Sequence, residues 1–419
     1  MKRITRALPL LRLTGLFISG QILIQLVNTI VGIVLIHILP VRDYAFYTIG
    51  VTVAAVAALI ANPGITHWLI TVGSQTGGDV GRTNQLALAV RKRSRLFLVI
   101  GAPVIVALTI AMLWRAGWSL IPQLSLAGLM VAMAFLRIDS MVVTALLSVK
   151  RRAKSLFWIG FIESAARLIL TPLSWIFPLG LLAVAVNALG VFFANRYATG
   201  VFRKLGGFAS PPPSAEDDRR LTEFLVPLVP MSLYNAFQGQ ISVLLLGLVG
   251  KSLLIAQYGA ITRLSQIILI ANMLNPFLVQ PSLASQRTKS GYLRRLALIL
   301  GALAAMGAIL IGSAILTPRL WLFVLGHKYQ DVGGSLVWMV TVAMVTLVGA
   351  TLYTAVIARS ETRGQFLSII PSLALQGVLL ALTHLSTLTD ALLLMLVPSL
   401  VYAIVQGGLL FRAVWTWRE

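Results

Sequence analysis

Four charged side chains fall inside two apolar stretches joined by the basic hinge Lys150-Arg151-Arg152-Ala153-Lys154. Arg137 and Asp139 precede the hinge; Glu163 and Arg167 follow it. A charge in hydrocarbon is costly, so such residues face a bundle interior or a water-filled cavity, where arginines hold anions and carboxylates carry protons or cations. Counted from Arg151, Arg137 and Asp139 lie 14 and 12 residues before it, and Glu163 and Arg167 lie 12 and 16 after it. At about 1.5 Å of rise per residue, all four occupy a slab roughly 6 Å thick. Glu163 and Arg167 share a helix face at i,i+4 with the acid first, the favourable order. Arg137 and Glu163 can also meet across the hairpin. The four charges sum to zero. They form either a closed ion-pair cluster that only holds helices together or a cluster that opens onto a cavity.

Three further sets of polar residues lie in apolar surroundings. Arg263 has no acid in its own stretch, which makes it the least compensated intramembrane charge. An acid from another helix would pair with it, or it would snorkel outward. Gln21, Gln25 and Asn28 recur at i, i+4 and i+7; Asn235, Gln238 and Ser242 recur at i, i+3 and i+7. Each stripe serves interhelical hydrogen bonds, which membrane bundles commonly use, or lines a polar cavity shared by two helices.

The elements that must position these residues are membrane-spanning helices. Of 419 residues, 58% are hydrophobic and 11% are charged, with a mean hydropathy of +0.91. A soluble domain carries about 25% charge. Apolar runs long enough to span a bilayer recur at roughly 13–38, 44–62, 96–114, 124–147, 155–175, 178–195, 223–247, 253–280, 292–316, 334–357, 365–384 and 389–411. These define an all-α polytopic membrane protein of about 12 transmembrane helices. The basic start at Lys2, Arg3 and Arg6 leads into an apolar run to Leu39, too long for a signal peptide. With the N-terminus inside, the external loops hold only Arg42, Arg115, Lys251, Arg319 and Lys328, and the spans hold Arg137, Arg167 and Arg263; the other 26 basic residues lie on cytoplasmic segments. That alternation is the positive-inside pattern. It puts both termini in the cytoplasm and turns the +22 net charge into a topology signal, with a cytoplasmic rim that attracts anionic lipid rather than nucleic acid.

A polar, breaker-rich stretch at 206–222, containing Pro211-Pro212-Pro213, divides six spans from six. The expected organisation is an N-terminal lobe at 1–205, a cytoplasmic linker and a C-terminal lobe at 223–419. Offsetting span 4 by 211 residues lands on span 10, and span 6 lands close to span 12. An even number of spans per half makes the repeats parallel, related by a pseudo-two-fold axis along the membrane normal. Pro227 and Pro230 are expected to bend span 7 near its cytoplasmic end.

Other motifs carry no chemistry. Gly250-Lys251-Ser252 imitates the end of a phosphate-binding loop, but position 245 is Leu and the full spacing fails. His37, His67, His327 and His384 are scattered without ligand spacing, and there is no cysteine. No catalytic constellation or cofactor motif is present, so the chain reads as no enzyme.

Several stretches taken in order resemble a known family. They are Leu39-Pro40-Val41-Arg42-Asp43-Tyr44-Ala45-Phe46-Tyr47 after span 1, Asn62-Pro63-Gly64-Ile65 after span 2, Tyr258-Gly259-Ala260-Ile261-Thr262-Arg263-Leu264 opening span 8, and Leu322-Phe323-Val324-Leu325-Gly326-His327-Lys328-Tyr329 before span 10. The set is similar to the O-antigen (Wzx-type) polysaccharide flippases of the multidrug/oligosaccharidyl-lipid/polysaccharide (MOP) exporter superfamily. Where that family more often has an acid before the glycine, this chain has Asn62-Pro63. The resemblance implies two six-helix lobes around a central cavity. It implies transport of a polyprenyl-diphosphate-linked oligosaccharide from the cytoplasmic to the outer leaflet of the bacterial inner membrane by alternating access, for O-antigen or exopolysaccharide synthesis. Polymerase or export proteins would be partners. Fixed arginines would then replace water around the phosphates, since the guanidinium fork binds phosphate oxygens in pairs. Arg263 is the first candidate, joined by Arg137 and Arg167. Gln21, Gln25, Asn28, Asn235 and Gln238 would meet the sugars. Asp139 and Glu163 would be candidates for proton or sodium coupling. Three alternatives stand beside this one: a drug/cation antiporter of the same superfamily, a lipid II flippase, and a non-transporting membrane subunit of a polysaccharide synthase. Spans 1 and 7 lack a buried carboxylate, apart from Glu223 at the entrance of span 7, which argues against the antiporter.

Overall fold

The structure, a computed structural model, describes residues 20, 22–74, 76, 79–150, 152–249, 251–275, 279, 282–283, 286, 288–359, 364–383, 385 and 387–415. These residues are helical almost throughout and include no strand. Nine helices among them are long and apolar enough to cross a membrane, and Ile22–Ile38 and Phe366–Leu382 are shorter apolar helices. Every predicted span has its helix, and the chain is a multi-pass membrane protein. Both termini lie outside the described residues. The chain divides into two compact units, Met1–Ile255 and Ala256–Glu419.

The first unit begins with α1 (Ile22–Ile38), α2 (Val41–Ala61), α3 (Ile65–Ser74), α4 (Val80–Arg115), α5 (Leu120–Val149), α6 (Ala153–Leu170), the single turn α7 (Leu173–Ile176) and α8 (Gly180–Lys204). Its core is the packed faces of α2, α4, α5 and α8, including Tyr44, Ile49, Leu86, Val90, Met130, Leu146 and Val191, all at most 1% exposed. Lipid tails are as apolar as leucine, so such helices are held by close packing and hydrogen bonds. Two residues of the Pro40-to-Tyr47 motif show how. Arg42 donates to the Gly117 carbonyl at 2.9 Å and stacks over Trp118. The Asp43 carboxylate accepts from the backbone N–H of Gly180 at 2.8 Å, pinning the first residue of α8. A Cβ at Gly180 would strike the Asp43 carbonyl, so only glycine fits that approach.

The segment 63–95, which reads as a loop, instead holds a helix at Ile65–Ser74 and the start of another at Val80. Span 2 breaks at Asn62-Pro63-Gly64, where Gly64 has φ +88°, and resumes as α3. The Asn62 side chain caps the new helix, accepting from Thr66 N at 3.0 Å and donating to Thr66 Oγ1 at 3.1 Å. Asp79 caps α4 by accepting from Arg82 N at 3.0 Å. The basic residues of the supposed loop, Arg82 to Arg95, therefore ride on an N-terminal extension of α4.

The segment read as a linker is ordered on that same extension. Its second half is the start of α9 (Ala215–Gln238). Asp217 is 1% exposed and accepts two hydrogen bonds from Arg82, at 2.9 and 2.5 Å. Gln85 donates to the Pro212 carbonyl at 2.9 Å, and Arg93 donates to Thr222 Oγ1 at 2.7 Å. The helix assignment runs through Pro227 and Pro230, and the interruption falls at Gly239-Gln240, before α10 (Ile241–Val249).

The second unit contains most of α11 (Ser252–Leu269) and the long helices Lys289–Leu316, Leu336–Ala358 and Leu388–Trp415. Its buried cluster includes Leu283, Tyr292, Ala355 and Val356. Polar side chains tie the helices: Tyr292 donates to the Ala355 carbonyl at 2.9 Å, Thr351 to Asn275 at 3.0 Å, and Gln376 to the Leu394 carbonyl at 2.9 Å.

Burial raises the Asp217 carboxyl, but hydrogen bonds from Arg82 and Ser214 and the Arg82 charge outweigh it and hold the group below the usual carboxylate range. A carboxyl lowered on folding contributes stability that is complete above its unfolded pKa, near 4, and is lost as pH falls through the lower folded value. Amide protection of 212–225 should therefore survive at pH 4 in the wild type and collapse at lower pH. Asp217→Asn should lack that protection at every pH, as read by hydrogen–deuterium exchange.

Candidate functional site

The four intramembrane charges of the α5–α6 hairpin do not form one cluster. Arg137 Nη2 donates to Glu163 Oε1 at 2.7 Å, and Arg167 Nη2 donates to the same oxygen from one turn along α6. Arg167 Nη1 also reaches Asn28 Oδ1 on α1 at 3.4 Å, and Ser164 Oγ donates to that oxygen at 3.2 Å. This is a mid-helix triad of two arginines and one acid. Asp139 turns to another neighbour. Its two oxygens accept from Arg91 on α4 at 2.6 and 2.8 Å, with Arg95 at 3.5 Å. The guanidinium of Arg91 lies over Phe208, and that of Arg95 lies over Phe135. Depth along the helix ignores rotation: two positions turn an α-helix by about 200°, so Arg137 and Asp139 cannot point the same way.

The triad borders a cavity of about 370 Å³ lined by Arg137 and Glu163, by Asn62 of the α2–α3 break and by residues of α3, α5 and α6. That volume falls in the range of small-molecule sites, roughly 300–1,000 Å³. The polar wall consists of Asn62, Thr66, Ser140, Thr144 and Ser148. It runs from the triad at mid-helix to the α5–α6 turn, where Ser148 and Leu156 meet. One end of the cavity thus carries the Arg137–Glu163 pair, with Arg167 behind it, and the rest offers neutral amide and hydroxyl groups. That pattern suits an anion attached to a hydroxyl-rich body.

None of these five wall residues was among the sequence candidates. Those on α5 were within reach: Arg137, Ser140, Thr144 and Ser148 recur at i, i+3, i+7 and i+11, the same period that singled out the stripes of spans 1 and 7. Asn62 and Thr66 carry no periodic signal, because the break at Pro63-Gly64 decides where they point.

Two glycines let helices close on the site. A Cβ at Gly190 of α8 would come within 2.8 Å of the Glu163 carbonyl and 2.9 Å of Arg167 Cγ. One at Gly160 of α6 would come within 2.9 Å of Ile24 on α1.

The remaining candidates divide as follows. Asn28 joins the triad through Arg167 and Ser164. Gln25 is half-buried on the same helix, with its carbonyl accepting from Thr29 Oγ1 at 2.9 Å. Gln21 lies outside the described residues. Asn235 lies on α9, with its side chain outside the described residues, and Gln238 is half-buried at the end of that helix. Arg263 is half-buried on α11 in the second unit and donates to Gln266 Oε1 at 3.3 Å.

Removing one partner from a buried ion pair costs about 3–5 kcal/mol, because the other charge is left uncompensated. Asp139→Ala strands both Arg91 and Arg95, so it should destabilise the first unit by about 3 kcal/mol. Arg137→Gln leaves Glu163 paired with Arg167 and should cost under about 1 kcal/mol. Thermal unfolding of the detergent-purified variants checks the order.

No family model and no curated protein matches the sequence. Solved structures do match the fold at low identity. A lipid II flippase, MurJ, in an inward closed conformation aligns with a TM-score of 0.70 at 12% identity, covering 95% of this chain and 87% of that chain. An inward-facing multidrug resistance MATE family transporter of the MOP superfamily aligns with a TM-score of 0.67 at 13% identity, covering 93% of each chain. A MOP superfamily transporter from Pyrococcus furiosus, described as having a binding pocket of reverse polarity, aligns with a TM-score of 0.59 at 15% identity over 96% and 95% of the two chains. The chain thus has the helical fold found in solved MOP-superfamily transporters of the MATE and lipid II flippase kinds.

Proposed function

We propose that the chain is a transporter that moves a polyprenyl-diphosphate-linked oligosaccharide from the cytoplasmic to the outer leaflet of a bacterial inner membrane, for O-antigen or exopolysaccharide synthesis. The observation that carries this reading is the cavity between the α2–α3 break, α3, α5 and α6. Arg137 and Glu163 line one end of it, Arg167 behind them gives the triad one excess positive charge, and its wall is hydroxyl and amide. A diphosphate needs fixed donors in place of water, and arginine provides them in pairs. Sugars need neutral partners, and Asn62, Thr66, Ser140, Thr144 and Ser148 are of that kind. The apolar tail needs no site, since it stays in the bilayer while the head group passes through by alternating access. The likeness to solved flippase and exporter folds supports the same reading.

In this reading Arg137 is the phosphate contact of the first unit and Arg263 that of the second. Arg167 and Asn28 hold the triad in place, and Gln21, Gln25, Asn235 and Gln238 are further sugar contacts. Glu163 is the candidate for proton or sodium coupling, because it lines the cavity. Asp139, clamped by Arg91 and Arg95, serves to hold α5 on α4.

Cells in which Arg137→Ala or Arg263→Ala replaces the wild type should accumulate one lipid-linked oligosaccharide severalfold at normal protein abundance, as measured by mass spectrometry of extracted lipids. An unchanged pool with altered sensitivity to cationic drugs would favour the antiporter. An unchanged pool with lost polymer would point to a scaffold in a synthase.

A further inference from the structure

We propose that Glu163 is a displaceable internal counter-ion: it occupies on Arg137 the place that an anionic head group takes, so ligand affinity is set by competition with this carboxylate. The inference rests on the functional reading above and refines it from an anion site to an exchange site.

Three features of the triad carry it. First, both arginines converge on Oε1, and Oε2 receives no hydrogen bond among the described residues. The carboxylate is held at one oxygen, so its hold on either arginine is not the two-point clasp that Asp139 has on Arg91. Second, the two arginines are unequal. Arg137 is 32% exposed and lines the cavity. One of its five N–H groups is used by Glu163 at 2.7 Å, and the rest of the fork is available to a phosphate. Arg167 is 18% exposed, is not among the cavity-lining residues, and is anchored to Asn28 on α1. Third, the exchange leaves no charge stranded. When Arg137 turns to a phosphate, Glu163 keeps Arg167 as its partner, so the penalty for an uncompensated buried carboxylate does not arise.

The exchange has a mechanical consequence. Arg137 sits on α5, whereas Glu163 and Arg167 sit on α6. Among the described residues, the Arg137–Glu163 pair is the ion pair that joins these two helices. A head group that takes Arg137 therefore releases α5 from α6 at mid-depth, while Asn28 and Arg167 keep α6 on α1. Binding and loosening of the cavity wall become one event.

The test uses the full chain in phosphatidylcholine nanodiscs, whose lipid carries no net charge, titrated with inorganic pyrophosphate in a calorimeter. Glu163→Gln should lower the pyrophosphate Kd at least tenfold relative to wild type. Glu163→Gln with Arg167→Gln keeps one cation at the site and guards against misfolding from two unpaired arginines; it should also bind more tightly than wild type. Adding Arg137→Gln to either variant should abolish the gain. Folded Glu163 variants that bind no more tightly than wild type would overturn the counter-ion role and leave the anion site standing. Tighter binding that persists without Arg137 would overturn the counter-ion role and also remove Arg137 from the substrate site.

Discussion

An ion inside a lipid bilayer must carry its counter-ion with it, and the first unit is arranged around that constraint. The α5–α6 hairpin holds two acids, Asp139 and Glu163, and each takes two arginines. Arg137, Glu163 and Arg167 link α5, α6 and, through Asn28, α1. Asp139, Arg91 and Arg95 link α5 to α4. Both sets retain one excess positive charge. In the Asp139 set that excess lies against the ring faces of Phe208 and Phe135, which attract cations. In the other set it borders the cavity. The same electrostatic need produces a strut in one place and a binding surface in the other; the difference is which face of α5 the residue occupies.

Close packing makes these pairings possible. Guanidinium and carboxylate meet only where helix axes approach within side-chain reach, and glycines permit that approach at the site. Gly190 lets α8 press on the Glu163 backbone, and Gly160 lets α1 press on α6. The break at Asn62-Pro63-Gly64 acts in the opposite sense. It diverts span 2 into α3 and brings Asn62 and Thr66 to the cavity wall. The family resemblance already marked this tripeptide as a departure from an acidic residue. An amide here adds hydrogen-bonding capacity without adding a negative charge to the wall that Glu163 shares.

Much of the architecture was legible in the chain because a bilayer imposes a one-dimensional rule: apolar length sets the spans. Each predicted span has its helix, although α4 begins well before its apolar core and α9 begins inside the supposed linker. Those extensions were hidden because their residues are charged. Arg82, Arg91 and Asp217 look like loop composition in a hydropathy profile, and only the Arg82–Asp217 and Arg91–Asp139 pairs show them as packed helix. The contact of Arg137 with Glu163 was legible from depth. The turning away of Asp139 was not read, although the two-residue offset from Arg137 contained it.

By itself, then, the sequence determined that the chain crosses a membrane many times, where the crossings lie, and which charges sit at mid-depth, because each follows from residue type and position along one helix. Only the tertiary structure decided which arginine each acid holds and which hydroxyls share a cavity. Arg91 is 48 residues from Asp139, and Asn62 is about a hundred from Glu163. Nothing along the chain specifies the rotation of one helix against another. That rotation comes from fitting small residues to large ones across several helices at once, and it turns a row of buried charges into an arginine–carboxylate site beside a neutral wall.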